Sequence, residues 1–222
     1  MKKKVSAPAK TRVLVVDDHP LFRDGLVQLI NRQRDLICCG QAGTSAAALT
    51  AMEVHCPDFI LLDLRLGQED GLELIKSCKA RCPSIAILVI SQFDEAIYAE
   101  RALRAGARGY LMKEEATDEV IRAIRSILDG ELYVSRKMSV VVLHKVLKQE
   151  PQSASIGVES LSDRELQVFQ LLGSGASTRQ IANSLHLSVK TIETYRENLK
   201  HKLQFSNGVE LVRHARAWVQ GG

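Results

Sequence analysis

Four short apolar runs each lead into a residue able to do chemistry. Val13–Val16 is followed by Asp17 and Asp18, Phe59–Leu62 by Asp63, Ala86–Ile90 by Ser91, and Gly109–Leu111, one residue on, by Lys113. If these runs are strands of one parallel sheet, three carboxylates, a hydroxyl and an ammonium meet at its carboxyl edge, where open α/β sheets bind ligands. Clustered carboxylates repel and raise one another's pKa unless a cation lies among them. Mg2+ suits such a cluster: it takes oxygen ligands, keeps several waters and is typically held by one or two carboxylates plus a phosphate. One carboxylate can then attack phosphorus to form an acyl phosphate. The metal and Lys113 would neutralise charge on the transferred group, and the Ser91 hydroxyl would donate to one of its oxygens. Taken alone, adjacent Asp residues are more often a solvated turn or a helix cap, and a Lys at a strand end a solvated charge. The combination points to a site.

The elements that must position these groups follow from the pattern between Arg12 and Asp129. Val13–Val16, Leu36–Cys39, Phe59–Leu62, Ala86–Ile90 and Gly109–Leu111 are too short for helices and lack polar alternation, which predicts strands buried on both faces. Between them, Leu21–Ile30, Ser45–His55, Gly71–Ala80, Glu95–Arg104 and Thr117–Leu128 carry apolar residues at helical spacing. The alternation predicts a doubly wound α/β domain with a five-stranded parallel sheet over residues 11–130. Residues 131–157 read as a linker, with a candidate helix at 139–148 and a Pro-, Gly- and Ser-containing stretch, "QEPQSASIGVES", beginning at Gln149. Residues 158–222 are helical throughout. Ser162 with Glu165 and Ser177 with Gln180 are capping-box signatures, a third helix spans Val189–Leu203, and Asn207 with Glu210 caps a fourth that runs to about Val219. A three-residue turn between the second and third helices predicts a helix-turn-helix.

Composition narrows the classes. With 45% hydrophobic and 25% charged residues the chain is that of a soluble globular protein. No apolar run approaches the roughly 18 residues of a membrane span. Lys2, Lys3 and Lys4 are not followed by the apolar stretch of a secretory signal, so a cytoplasmic protein is expected. Five cysteines, an odd number without a C-x-x-C pair, argue against a disulfide framework and against zinc. Charge changes sign along the chain: residues 11–130 hold 14 Lys and Arg against 18 Asp and Glu, residues 158–222 hold 8 against 6. That division suggests two tasks, the second compatible with nucleic acid.

Taken together, "VVDDHP", "FILLDLRL", "ILVIS" and "ARGYLMK" resemble the receiver domain of two-component response regulators, in the NarL/FixJ subfamily, whose members carry a LuxR-type DNA-binding domain. The resemblance runs from Arg12 to about Val219. It implies a flavodoxin-like receiver followed by a four-helix DNA-binding domain. It implies Asp63 as phosphoacceptor, Asp18 as direct Mg2+ ligand, Asp17 as its water-mediated neighbour and the Arg65 carbonyl as a further ligand. Lys113 and Ser91 match the phosphoryl-sensing pair, and Tyr110 the aromatic switch that turns inward when the hydroxyl moves toward the phosphate; a plain core ring is the alternative for Tyr110. Two positions depart from the family: Gly67 stands where a proline is usual, and Gln92 replaces a small residue. Both bear on the rate of phosphorylation, through a looser loop and a more crowded approach.

In a helix-turn-helix the second helix enters the major groove and its N-terminal residues reach base edges. Here Ile192, Leu199 and Leu203 form the inward face. Lys190, Thr191, Glu193, Thr194 and Glu197 point outward, with Tyr195, Lys200, Lys202 and Arg179 available to phosphates. Matched to the LuxR-type pattern, Glu193, Thr194 and Glu197 are base-reading positions; a carboxylate can accept from cytosine N4 and Thr can touch a thymine methyl. The alternative is a solvated face with surface ion pairs. In the last helix Leu211, Val212, Ala215 and Trp218 share a stripe that in the family pairs two copies on double-stranded DNA, or that closes the domain's own core.

The expectation is a cytoplasmic transcription regulator, not an enzyme beyond its own phosphorylation and dephosphorylation, with a sensor histidine kinase as partner and a homodimer on DNA. A haloacid dehalogenase-type phosphatase would need an acid two residues after the nucleophile, where Arg65 stands. A receiver that serves only as a phosphate-independent dimerisation module remains open.

Overall fold

The computed structural model describes residues 10–67, 69–136, 138–140 and 157–221. The chain divides into two compact units, Met1–Lys148 and Gln149–Gly222.

In the first unit, β1 (Thr11–Val16), β2 (Leu36–Ala42), β3 (Phe59–Leu62), β6 (Ala86–Ser91) and β7 (Gly109–Met112) form a parallel sheet in the order β2-β1-β3-β6-β7. The helices α1 (Pro20–Asn31), α2 (Ser45–His55), α3 (Gly71–Arg81), α4 (Glu95–Ala105) and α5 (Ala116–Leu128) alternate with the strands. Strand order reverses next to β1, so the carboxyl ends of β1 and β3 flank a switch point. Helix starts are set by short polar side chains: Thr44, Asp70 and Asp94 each accept from a backbone N–H of the first turn of α2, α3 and α4. Val13, Val15, Phe59, Leu61, Leu88 and Ile90 form one face of the core against Leu26, Ile30, Ile124 and Ile127.

Two features differ from the sequence expectation. β2 is not buried on both faces: it is the border strand, and Ile37 is 41% exposed. A short antiparallel hairpin, β4 (Arg65–Leu66) with β5 (Glu69–Asp70), occupies the loop after Asp63. Two-residue strands in "RLGQED" carry no periodicity from which to foresee them. Residues 136 and 138–140 are helical; the rest of the candidate helix, 141–148, lies outside the described residues.

The second unit opens with a 3-10 turn at Val158–Ser160, followed by α6 (Asp163–Gly173), α7 (Thr178–Ser184), α8 (Val189–Lys202) and α9 (Gly208–Gly221). Both expected capping boxes form, Ser162 with Glu165 and Ser177 with Gln180. Leu166, Phe169, Ile181, Ile192, Leu199, Leu211 and Ala215 are at most 1% exposed and make its core. Among the described residues no helix is long and apolar enough to cross a membrane.

Candidate functional site

The acidic residues are held by the sheet itself. Ladder bonding continues one residue past each strand: Asp17 N–H donates to Ala42 O (3.0 Å), Asp63 N–H to Val16 O (2.9 Å) and Lys113 N–H to Ser91 O (2.8 Å). The backbones of Asp17, Asp63 and Lys113 are therefore as fixed as the strands. Asp17 is 1% exposed, Asp63 3% and Ser91 1%.

Lys113 Nζ lies 2.7 Å from Asp17 Oδ2 and 2.6 Å from Asp63 Oδ2, and 4.6 Å from the centre of the Phe22 ring. Asp63 Oδ1 accepts from the Arg65 N–H at 3.1 Å. Burial pushes the Asp63 carboxyl up to about 6; Lys113 opposes the shift and the Asp17 charge adds to it. Three carboxylates against one ammonium leave the cluster two negative charges in excess when all are ionised.

Asp18 projects less deeply. Its Oδ2 accepts from Gly67 N–H at 2.9 Å, so the Asp63 loop is tied to the end of β1. Gly67 has φ +62°, a left-handed conformation a proline cannot adopt. The departure at this position therefore goes with the hairpin turn. Asp18 Oδ1 is buried and accepts no hydrogen bond, although His19 Nδ1 is 2.7 Å away. Ligand atoms of Asp17, Asp18, His19 and Asp63 all lie within 4.8 Å of one another. Excess negative charge and a carboxylate oxygen without a donor fit a hard cation. His19 was not singled out by sequence reasoning; its position directly after Asp18 was the available signal.

His19, Asp63, Arg65, Ser91, Gln92 and Phe93 line one small cavity. Gln92 and Asp63 thus line the same cavity. Phe93 joins the remaining two residues of the set. Its N–H donates to Ser91 Oγ at 3.2 Å, and its carbonyl accepts from the Tyr110 hydroxyl at 2.7 Å. Tyr110 is 1% exposed, and burial holds its phenol well above the usual range. The ring lies inward.

On α8, Ile192 and Leu199 are fully buried and Leu203 is 8% exposed, as the inward face requires. Lys190, Glu193, Thr194 and Glu197 are exposed; Thr191 and Tyr195 are half-buried. Thr191 Oγ1 is 2.7 Å from the Ser188 hydroxyl at the helix cap, which engages it locally. Lys200 Nζ pairs with Glu197 Oε2 at 2.7 Å and holds that carboxyl below its usual range. Lys202 pairs with the buried Glu165 at 2.7 Å, a structural tie that takes it from the group available to phosphates. Arg179 is exposed. His201 is also exposed and follows Lys190, Thr194 and Glu197 at helical spacing; extending the same periodicity would have found it.

The α9 stripe splits. Leu211 and Ala215 are fully buried in the core of their own unit, Val212 and Trp218 are half-buried, and Trp218 packs edge-on to Phe169 with centroids 5.8 Å apart.

Residues 13–125 match the model of the response regulator receiver domain, and residues 159–215 that of bacterial regulatory proteins of the luxR family. The oxygen regulatory protein NreC of Staphylococcus epidermidis is 31% identical over 209 residues, 92% of this chain and 96% of that protein. A crystal structure of a LuxR-family two-component response regulator from Aurantimonas sp. superposes with TM-score 0.57 at 27% identity, covering 63% of this chain and 99% of that one. RcsB of Salmonella typhimurium superposes with TM-score 0.61 at 23% identity, covering 94% and 98%.

Proposed function

The chain belongs to the response regulator receiver family and carries a luxR-type regulatory domain, and from this premise we propose that Asp63 is the phosphoacceptor through which a histidine kinase controls its DNA binding. The protein is a two-component transcription regulator rather than a metabolic enzyme. We take residues 11–130 as the receiver, 158–222 as the DNA-binding domain and the stretch between as the connection.

One observation supports the assignment above the others: Lys113 Nζ is within 2.7 Å of both Asp17 and Asp63, while Asp63 shares a cavity with Ser91. Asp18 and Asp63, with Asp17 and the Arg65 carbonyl, would hold Mg2+. When bound, the ion would supply positive charge that offsets the phosphoryl oxygens and shields the nucleophile from them. An Asp63 oxygen bonds to phosphorus as the P–N bond to the kinase histidine breaks, and the bonding pair leaves with the imidazole nitrogen. Lys113, freed from one of its two carboxylates, pairs with a phosphoryl oxygen, and the Ser91 hydroxyl donates to another. Phe93 carries that movement to Tyr110, because it is bonded to both. Self-dephosphorylation is the same acyl phosphate attacked by water.

In the second unit, Glu193, Thr194 and Glu197 face base edges, with Lys190, Arg179, Tyr195, Lys200 and the engaged Thr191 toward the backbone. Val212 and Trp218 retain surface for a homodimer; Leu211 and Ala215 support that surface from beneath. The protein acts in the cytoplasm.

The test is incubation with a small phosphodonor and Mg2+, followed by intact mass and DNA affinity for wild type and Asp63→Asn. A mass gain confined to wild type, with altered DNA affinity, is expected. The competing account is a receiver acting without phosphate; equal DNA affinity for both proteins after a wild-type mass gain would establish it.

A further inference from the structure

The segment after α5 does not leave the first unit freely. Tyr133 forms a parallel bridge with Gly109 of β7, donating its N–H to Arg108 O at 3.0 Å and accepting from Tyr110 N–H at 2.8 Å. Gly109 permits this: a Cβ there would stand 2.7 Å from the Tyr133 carbonyl oxygen, closer than real Cβ atoms come to backbone. The Tyr133 hydroxyl bonds to Glu119 Oε2 at 2.5 Å, anchoring the segment to α5. Two residues on, Ser135 N–H donates to Glu95 Oε1 at 2.7 Å. Ser135 also starts a helical stretch, accepting from Met138 N–H through Oγ (3.1 Å) and from Ser139 N–H through its carbonyl (2.9 Å). Met138 is 2% exposed, so this stretch too is seated.

The fastenings fall on the residues that respond to Ser91. One is the backbone N–H of Tyr110 itself. The other is Glu95, the first residue of α4, two residues after Phe93. Phe93 is bonded to both Ser91 and Tyr110, so a rearrangement there moves the start of α4 and the β7 border together. Ser135 lies at the beginning of the chain that leads to the DNA-binding domain. A coupling route needs an element whose state both ends bias, and this strap touches both.

We propose that Glu95 is a positioning residue for the output of the receiver: its carboxylate holds the Ser135 N–H and so fixes the start of the interdomain connection to the Ser91–Phe93–Tyr110 face, and phosphorylation of Asp63 acts on DNA affinity by changing that hold. This rests on the assignment of Asp63 made above. The residue acts through the strap and touches neither phosphoryl group nor DNA.

The experiment uses the full chain as wild type, Glu95→Ala and Glu95→Gln, the last retaining an acceptor oxygen at the same place. Hydrogen exchange without phosphodonor comes first. Amides of the peptide spanning 131–138 exchange roughly tenfold faster in Glu95→Ala, as loss of one hydrogen bond to a charged group implies, and near the wild-type rate in Glu95→Gln, while β1 and β3 peptides are unchanged. An unaltered strap in Glu95→Ala overturns the proposal. Next, intact mass and DNA affinity are measured with and without a small phosphodonor and Mg2+. Glu95→Ala gains the same mass as wild type, yet its ratio of phosphorylated to unphosphorylated DNA affinity falls toward one; Glu95→Gln keeps the wild-type ratio. A wild-type ratio in Glu95→Ala overturns the coupling even if exchange has accelerated. A wild type that gains no mass overturns the Asp63 assignment and the coupling with it, a failure distinct from the other two.

Discussion

The acidic cluster and the outward face of α8 obtain their chemistry by opposite means. The cluster takes charges out of water, fixes their backbones with sheet bonds to three neighbouring strands, and lets one ammonium serve two buried carboxylates. The α8 face comes from one helix, leaves its charges in water, and pairs two of them, Glu197 and Lys200, across one helical turn. In the first region a single deletion leaves a charge unpaired in a low dielectric; in the second it only rearranges a solvated surface. On the proposed assignment, reactivity is concentrated where removal is costly, and recognition where residues can be exchanged cheaply.

The largest contrast is expected at Asp63. Asp63→Asn abolishes mass gain from a phosphodonor completely, and intact mass spectrometry reads it. Lys113→Ala comes next. It strips the counter-charge from Asp17 and Asp63 and should lower metal-free stability by about 3 kcal/mol, a loss that Mg2+ partly restores in thermal melts. No single change on the outward face of α8 should approach that figure, and one that did would break the contrast.

A pH effect sharpens it further. The Asp63 carboxyl rises from about 4 in an unfolded chain to about 6 in the fold. Relative to the unfolded chain, the fold favours the protonated form. The stability it contributes is full below about pH 4 and is lost as pH rises through about 6. Metal-free protein should therefore lose stability across that window, Asp63→Asn should flatten the loss, and Mg2+ should bind more tightly as the carboxyl ionises. Urea titrations at pH 5 and 7.5, with and without Mg2+, measure all three. On α8 the smallest effects are expected. Glu197→Ala should relax preference roughly tenfold at one base position with no change in melting temperature, whereas Lys190→Ala should weaken all sequences alike and reduce the salt slope by about 1. Binding assays over a set of operator variants at two salt concentrations separate the two.

How far each region was legible follows from the same contrast. Buried strands announce themselves as apolar runs, so Asp17, Asp63, Ser91 and Lys113 could be set at strand ends before any coordinates, and the capping boxes at Ser162 and Ser177 fixed helix starts to the residue. Periodicity along one helix cannot distinguish a stripe that fills its own core from one that meets a partner. Leu211 and Ala215 turned out to fill their own core. The β4–β5 hairpin rests on a left-handed Gly67 and one backbone bond to Asp18, neither of which has a pattern in sequence. Tyr133 was read as part of a linker because its pairing depends on a glycine 24 positions earlier, a relation visible only once β7 is placed.

The strap along β7 also leaves the sheet with unlike borders. On one side Tyr133 already takes the Arg108 carbonyl and the Tyr110 N–H at the start of the last strand. On the other, β2 has no strand beyond it among the described residues; Asn31 Oδ1 takes the Cys38 N–H, and Ile37 is 41% exposed beside two half-buried thiols, Cys38 and Cys39. An unpaired border with an apolar side chain is a template for another chain. For anyone concentrating or storing this protein, self-association should begin at β2, and Ile37→Lys is the change to make first.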